Sequence, residues 1–334
     1  MDLSRFPRAD LCHAPTPLEP LDRLSDHLGG PRIYVKRDDC TGLATGGNKT
    51  RKLEWLMGDA LARGCDVVVT QGAVQTNHGR QTAAAAAKLG LKCELLLERR
   101  VPHAAPDFEE TGNVLLDRMF GATLHFHEVG DGSNEDMNSR VEAHCAALAD
   151  QGLTPYAVPG GGSNWIGALG YVVCAQEIAE QADARDLVVD WIIHATGSAG
   201  TQAGLAAGLA GLDSPMGLMG VNIRFAAAEQ EEKVFALARR TAAEIGAPAV
   251  DRDRILCIDG YVGPGYGQPT PQMVEAVDLT ARLEGLLLDP VYAGKAMAGL
   301  IGMVREGRFG RDDTVVFVHT GGSQALYAYR DSFA

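Results

Sequence analysis

Three segments of this 334-residue chain set reactive or anion-binding groups beside glycines. The first reads Thr45-Gly46-Gly47-Asn48-Lys49-Thr50-Arg51-Lys52-Leu53-Glu54, a lysine two places after a glycine pair at the mouth of a helical pattern. Glycine lets a ligand come close to the backbone, and a lysine amine becomes a nucleophile once it loses its proton. A phosphate loop is the rival, because residues 42–47 have the glycine interval of GxxxxGK[ST]. Asn48 intervenes, so the lysine falls one place late and that pattern fails. A solvated lysine at a helix start is the plain structural alternative.

The second segment, Thr196-Gly197-Ser198-Ala199-Gly200-Thr201, follows a strongly β run and leads into a helix rich in Ala, Leu and Gly. Small residues there free backbone N–H groups to converge on one anion, and the helix dipole adds positive potential. Neither a Walker lysine nor a GxGxxG with a following acid accompanies it, which favours a phosphate monoester over a dinucleotide. Such turns also serve as ordinary packing devices. The third segment, Gln71-Gly72-Ala73-Val74-Gln75-Thr76-Asn77-His78, again leaves a strand and enters a helix. Its amides, hydroxyl and helix-start N–H groups suit a carboxylate or phenolate oxygen. His78 is kept only as a candidate substrate contact, since a histidine at a helix start is more often a cap or a surface residue.

A lysine, a separate phosphate cup and polar donors from a third loop together fit one cofactor, pyridoxal 5'-phosphate held as a Schiff base. The amine must be neutral to attack the aldehyde, the phosphate needs donors, and the phenolic oxygen and ring nitrogen need partners that set electron demand.

The elements that must position these groups alternate along the chain. Strands are expected at residues 33–36, 67–70, 93–97, 123–127, 156–158, 187–194, 219–223, 255–258 and 315–319. Helices are expected at 52–63, 80–89, 138–150, 167–181, 201–210, 229–245, 271–283 and 294–305, and the polar stretch 130–138 reads as one surface loop. Strand-then-helix alternation calls for parallel sheets covered on both faces, an α/β class in which ligands sit beyond the carboxyl ends of strands.

Composition narrows the classes of function. Glycine takes 40 of 334 positions, about 12% against a norm of roughly 7%, and clusters at junctions without a fibrous period. The net charge of −13 disfavours nucleic acid and anionic membrane as partners. No run approaches a membrane span, and the first residues lack the apolar core of a secretory signal, so a cytoplasmic location is expected. Seven scattered cysteines without a CxxC pair fit reduced thiols. His125 and His127 share one strand face, but no acid or thiol cluster in the sequence completes a metal site, and none is expected.

Nearly end to end, the chain resembles the fold-type II pyridoxal-phosphate enzymes, in the branch with D-cysteine desulfhydrase, aminocyclopropane-carboxylate (ACC) deaminase and L-cysteate sulfo-lyase. The resemblance rests on Lys36-Arg37-Asp38-Asp39, the GGNKTRKLE segment, Gln75-Thr76-Asn77-His78, Pro159-Gly160-Gly161-Gly162-Ser163-Asn164 and Ala195-Thr196-Gly197-Ser198. It continues through Tyr261-Val262-Gly263-Pro264, Asp289-Pro290-Val291-Tyr292 and His319-Thr320-Gly321-Gly322. It implies a tryptophan synthase β-like fold of two parallel-sheet α/β domains. Residues 1–51 with 165–334 would form the large cofactor domain and 52–164 the small one, in a homodimer or larger homo-oligomer.

The resemblance further implies that Lys49 forms the Schiff base, Asn77 bonds the phenolic oxygen, the 196–201 turn holds the phosphate and Thr320 faces the ring nitrogen. Thr76 and its neighbours Gln75, Asn77 and His78 would grip the substrate carboxylate. Tyr261 and Tyr292 match tyrosines that flank the substrate, with Tyr266 nearby. Where the deaminase has a glutamate after its DPVY tyrosine, this chain has Ala293, and Thr320 is neutral. A less protonated ring is a weaker electron sink, which disfavours opening of a cyclopropane.

The expected activity is therefore β-elimination from a small sulfur-containing amino acid, leaving pyruvate and ammonia. The 37–45 and 70–73 segments look closer to L-cysteate sulfo-lyase, so release of sulfite from L-cysteate is the preferred reading, with Gln75, His78 and Arg224 as candidate sulfonate contacts. D-cysteine desulfhydrase is the alternative. ACC deaminase, a noncatalytic amino-acid-binding protein and a nucleotide enzyme using the glycine loops rank lower.

Overall fold

The computed structural model describes residues 2–102, 104–129 and 134–333. In chain order its elements are β1 (Leu18–Pro20), α1 (Asp22–Leu28), β2 (Arg32–Lys36), α2 (Asn48–Ala62), β3 (Val67–Ala73), α3 (Asn77–Leu89) and β4 (Lys92–Glu98). These are followed by α4 (Gly112–Met119), β5 (Thr123–His127), α5 (Asn134–Asp150), β6 (Pro155–Ala157), α6 (Trp165–Asp183), β7 (Trp191–Thr196) and α7 (Gly200–Gly211). The last are β8 (Gly217–Asn222), α8 (Ala227–Ile245), β9 (Leu256–Ile258), α9 (Pro271–Glu284), α10 (Ala293–Arg305) and β10 (Thr314–Val318). Of the polar stretch 130–138, residues 134–138 belong to α5, while 130–133 lie outside the described residues.

One sheet has six strands in the order β1-β2-β10-β7-β8-β9, all parallel except β1, which runs against β2. Its strands are apolar on both faces, as parallel strands must be when helices cover each side. Ile192, Val316 and Val318 turn toward one layer, with Leu169, Leu205 and Val234 from α6, α7 and α8. Their neighbours Ile193, Val315 and Phe317 turn to the other, with Leu24, Met273 and Leu300 from α1, α9 and α10. The second sheet is wholly parallel, β5-β4-β3-β6. Val68, Leu95 and Leu97 pack on α2 and α3, and Val67, Val69 and Leu96 on Met137 and Val141 of α5. Among the described residues no helix is long and apolar enough to cross a membrane.

The two glycine-rich loops of interest leave the carboxyl ends of β3 and β7, and the segment with Thr320 leaves β10. Helix α2 belongs to both halves of the molecule. Its later turns (Leu53, Leu56, Met57, Ala60) fill the small-sheet core, while its first turn is tied to the large sheet by buried charges. There Arg51 donates to Asp38 Oδ1 and Oδ2 (both 2.9 Å) and to Glu177 Oε1 and Oε2 (2.8 and 2.7 Å). Lys36 joins at Glu177 (2.7 Å) and the Tyr171 hydroxyl donates to Asp38 (2.7 Å). Two cations and two carboxylates balance, which is the condition for burying ions at all.

Candidate active site

Lys49 stands in the first turn of α2, just after Gly46 and Gly47. Gly46 is required there: its φ is +79°, and a Cβ would fall 1.8 Å from the Asp39 carbonyl oxygen. The lysine is half-buried, and the desolvation of its amine lowers its pKa to about 8, against the partial opposition of Lys52 and Asp289. A larger share of the amine is thus unprotonated at neutral pH than an ordinary lysine offers. Lys52, one turn on, lies against it and is pushed well below its usual pKa by burial and by the Lys49 charge.

Lys49 lines a cavity together with Asn48, Asn77, His78, Thr196, Gly197, Ser198, Ala199, Thr201, Tyr292 and Thr320. The lysine, the turn after β7 and the polar loop after β3, far apart in sequence, therefore face one space. Gly200, also in that turn, is the first residue of α7, and Ala199 is its N-cap at a φ of +72°. The first-turn amides of such a helix have no carbonyl of their own helix to bind. Around the turn, Gly200 N–H donates to Ser163 Oγ (3.1 Å), Ser163 donates to Ser198 Oγ (2.8 Å), and Gln230 donates to Thr196 Oγ1 (2.9 Å). Lys52 Nζ donates to the Gly161 carbonyl (3.1 Å), beside Ser163. A helix start, hydroxyls and a lysine in one place form a cradle for a phosphate.

Asn77 opens α3 with its amide fixed. Its Oδ1 accepts from Arg80 Nη1 (3.3 Å) and Asn113 Nδ2 (3.0 Å), which leaves Nδ2 as the donor free for the cavity. Gly322, at a φ of +98°, makes room for it, since a Cβ there would stand 2.2 Å from that nitrogen. A single fixed N–H donor fits an anionic phenolic oxygen. Thr320 holds the helix mouth with its carbonyl, which accepts from Asn48 N (3.0 Å).

Beyond Lys49 the cavity continues into a wider cleft lined by Thr76, His78, Arg100, Arg224, Tyr266 and Tyr292 among others. Thr76 is the N-cap of α3, its Oγ1 accepting from Gly79 N. His78 is buried and neutral, its pKa driven down by burial and by Lys49 and Lys52. The Thr70 hydroxyl donates to the Val158 carbonyl (2.8 Å), so the His78 Nε2 at 2.8 Å must donate to Thr70, and Nδ1 is left as a lone-pair acceptor. Tyr292 is presented by Asp289, whose carboxylate accepts from the amides of Val291, Tyr292 and Ala293 (3.1, 3.0 and 2.6 Å).

Two expected contacts lie elsewhere. Gln75 lines neither cavity: its Nε2 donates to the Phe108 and Thr111 carbonyls (2.6 and 3.0 Å) and its Oε1 accepts from Asn113 N (2.9 Å), so the carboxamide is spent on tying loops together. Tyr261 also lines neither cavity. It packs with the apolar layer of α9 and α10, its hydroxyl at Gly302, and Tyr266 takes the place beside Tyr292. The readings of Gln75 and Tyr261 as substrate contacts are corrected accordingly. Sequence reasoning missed Lys52, Arg80, Asn113 and Arg100. Lys52 carried a readable signal, three residues after Lys49 and so on the same helix face.

The matching family model is described as a pyridoxal-phosphate dependent enzyme and covers residues 9–321. A D-cysteine desulfhydrase of Salmonella schwarzengrund (strain CVM19633) is 48% identical over 327 residues, 98% of this chain and 97% of that protein. One of Salmonella newport (strain SL254) is 47% identical over the same extent. A solved structure described as the ACC deaminase homologue superposes with a TM-score of 0.89 at 38% identity, covering 99% of this chain and 96% of that one. The Lys49 amine with its lowered pKa, the fixed amide donor and the phosphate cradle fit the cofactor these proteins share, and the chain belongs to the pyridoxal-phosphate-dependent enzymes of the D-cysteine desulfhydrase and ACC deaminase family.

Proposed function

We propose that this pyridoxal-phosphate-dependent lyase eliminates sulfide from D-cysteine, giving pyruvate and ammonia. The observation that carries the chemistry is the placement of Lys49, its pKa lowered to about 8, on the wall of the cavity formed by the 196–201 turn and Asn77. The choice of substrate is supported by relatives bearing that activity in their names at 47–48% identity over 98% of the chain. It replaces the L-cysteate preference drawn from the 37–45 and 70–73 segments.

The bound cofactor supplies an aldehyde for the amino group and a conjugated ring that accepts the electron pair left at Cα. The 196–201 turn and Lys52 would hold its phosphate, Asn77 Nδ2 would donate to its phenolic oxygen, and Thr320, on the same cavity wall, would serve its ring nitrogen. Thr76 and the N–H groups opening α3 hold the substrate carboxylate, with Arg100 and Arg224 adding positive charge in the outer cleft. The Lys49 amine takes the Cα proton. Tyr292, hydrogen-bonded to Tyr266, gives a proton to the departing hydrosulfide, so that it leaves as neutral hydrogen sulfide.

A second reading, sulfite release from L-cysteate, is favoured by one observation: two arginines, Arg100 and Arg224, line the outer cleft, where a sulfonate would need cations. Separate incubations with D-cysteine, L-cysteine, L-cysteate and aminocyclopropane-carboxylate decide between them, reading sulfide, sulfite, pyruvate and 2-oxobutanoate. Sulfide with pyruvate from D-cysteine is expected. Sulfite from L-cysteate with an inert D-cysteine would reverse the assignment.

A further inference from the structure

The small sheet carries a side-chain cluster that takes no part in the site above. Glu94 on β4, His125 on β5 and His144 on α5 each bring one potential ligand atom within 4.8 Å of the other two. His125 Nε2 lies 2.7 Å from Glu94 Oε2 and His144 Nε2 lies 3.5 Å from the same oxygen. The two imidazoles meet edge to face with centroids 4.7 Å apart. His144 Nε2 is buried and has no hydrogen-bond partner among the described residues. A polar atom in that condition is uncommon in a native fold. The side chains of Glu94, His125 and His144 are 15%, 35% and 25% exposed, which leaves an ion a way in.

The sequence suggested His125 with His127, and His127 does not join the cluster. What the sequence could not display is that β4 supplies the carboxylate and α5 the second imidazole. Four ligands about 2.1 Å from a tetrahedral ion stand about 3.4 Å apart. The His144 to Glu94 distance already meets that spacing, and the His125 contact reaches it by a small opening of the pair.

We propose that Glu94, His125 and His144 bind a divalent zinc-class ion, with water in the fourth position. Two imidazoles and one carboxylate select zinc and its late transition-metal neighbours over magnesium or calcium, which take oxygen sets. The ion would fasten α5 to β4 and β5. Asn138 stands six residues earlier on α5, about 9 Å along the helix, where its Oδ1 accepts from Gln71 Nε2 (2.8 Å) and it lines the outer cleft. The ion therefore stiffens a wall of the substrate cleft without touching the chemistry.

The test is calorimetric titration of the holoenzyme with zinc chloride, with magnesium chloride as control, and melting curves with and without zinc. Because Cys40 is exposed and Cys145 adjoins His144 in sequence, titrations are repeated with Cys40→Ser and Cys145→Ser together. One zinc per chain is expected to survive those serines and to raise the melting temperature. Glu94→Gln, His125→Ala and His144→Ala should each weaken it at least about tenfold, and His144→Gln, which preserves bulk, should do the same. No zinc uptake, uptake lost with the cysteines, or uptake unchanged in both His144 variants would overturn the assignment.

Discussion

The phenol oxygens of Tyr266 and Tyr292 lie 2.5 Å apart, although one side chain comes from the loop before α9 and the other from the Asp289-clamped turn before α10. Burial raises the pKa of both, and the rings meet edge to face at a centroid distance of 6.0 Å. The pair therefore stays protonated at neutral pH, with one hydroxyl donating to the other.

If the two act as one proton donor, their losses do not add. Tyr266→Phe and Tyr292→Phe should each lower kcat by about tenfold or more, and the double variant should be scarcely worse than Tyr292→Phe alone. Steady-state kinetics of the four proteins close the cycle. Multiplicative losses in the double variant would show that the tyrosines act separately.

The depressed pKa of Lys49 sets a pH window. Uptake of pyridoxal phosphate by apoprotein, followed by visible absorbance, should accelerate as pH rises through about 8, where the amine loses its proton. Lys49→Ala should bind the cofactor without the borohydride-sensitive band. An inflection near 10.5 would mean that the amine is solvated and the burial argument fails.

The charge cluster at the start of α2 should govern stability. Burial would raise the Asp38 carboxyl, but the adjacent Arg51 guanidinium, its hydrogen bonds and Lys36 outweigh that and hold it below the usual carboxylate range. Its contribution is present above the unfolded pKa and is lost as pH falls through the folded one. Arg51→Met leaves Asp38 and Glu177 without their main partner and should cost about 3–5 kcal/mol in urea unfolding. A loss below about 1 kcal/mol would contradict the account.

Asp117 works in the opposite sense. Burial raises its carboxyl to about 8, only partly countered by Arg80, and neither oxygen has a hydrogen-bond partner among the described residues. The folded state thus binds this proton more tightly than the unfolded one. Stability should decline as pH rises from about 4 to about 8. Asp117→Asn should remove that slope and melt above the parent protein at pH 8.5. Equal melting profiles across that range would refute it.

Much of the site was legible because its chemistry sits in short contiguous segments. Lys49, Asn77 and the 196–201 turn each follow a strand end and carry their glycines with them. The helix starts were read late: residues 80, 138 and 201 stood in for Asn77, Asn134 and Gly200, because the polar or small residues at a helix mouth carry no apolar period. Helices α1 and α4 and strand β1, all short, escaped for the same reason. Gln75 and Tyr261 failed differently: a motif shows that a residue recurs, not whether its polar atoms are already committed to carbonyls or its ring to an apolar layer. The i, i+3 spacing puts Lys52 on the face of Lys49, but nothing along the chain reveals that its amine is buried beside the 196–201 turn.

The division of α2 between two cores has a mechanical outcome. One unbroken fifteen-residue rod is riveted to the six-stranded layer at its first turn and embedded in the four-stranded layer along the rest. The two layers cannot draw apart without tearing one of these anchorages. Lys49, in the first turn of that rod, is thereby held fixed against the six-stranded layer whose loops form the rest of its cavity.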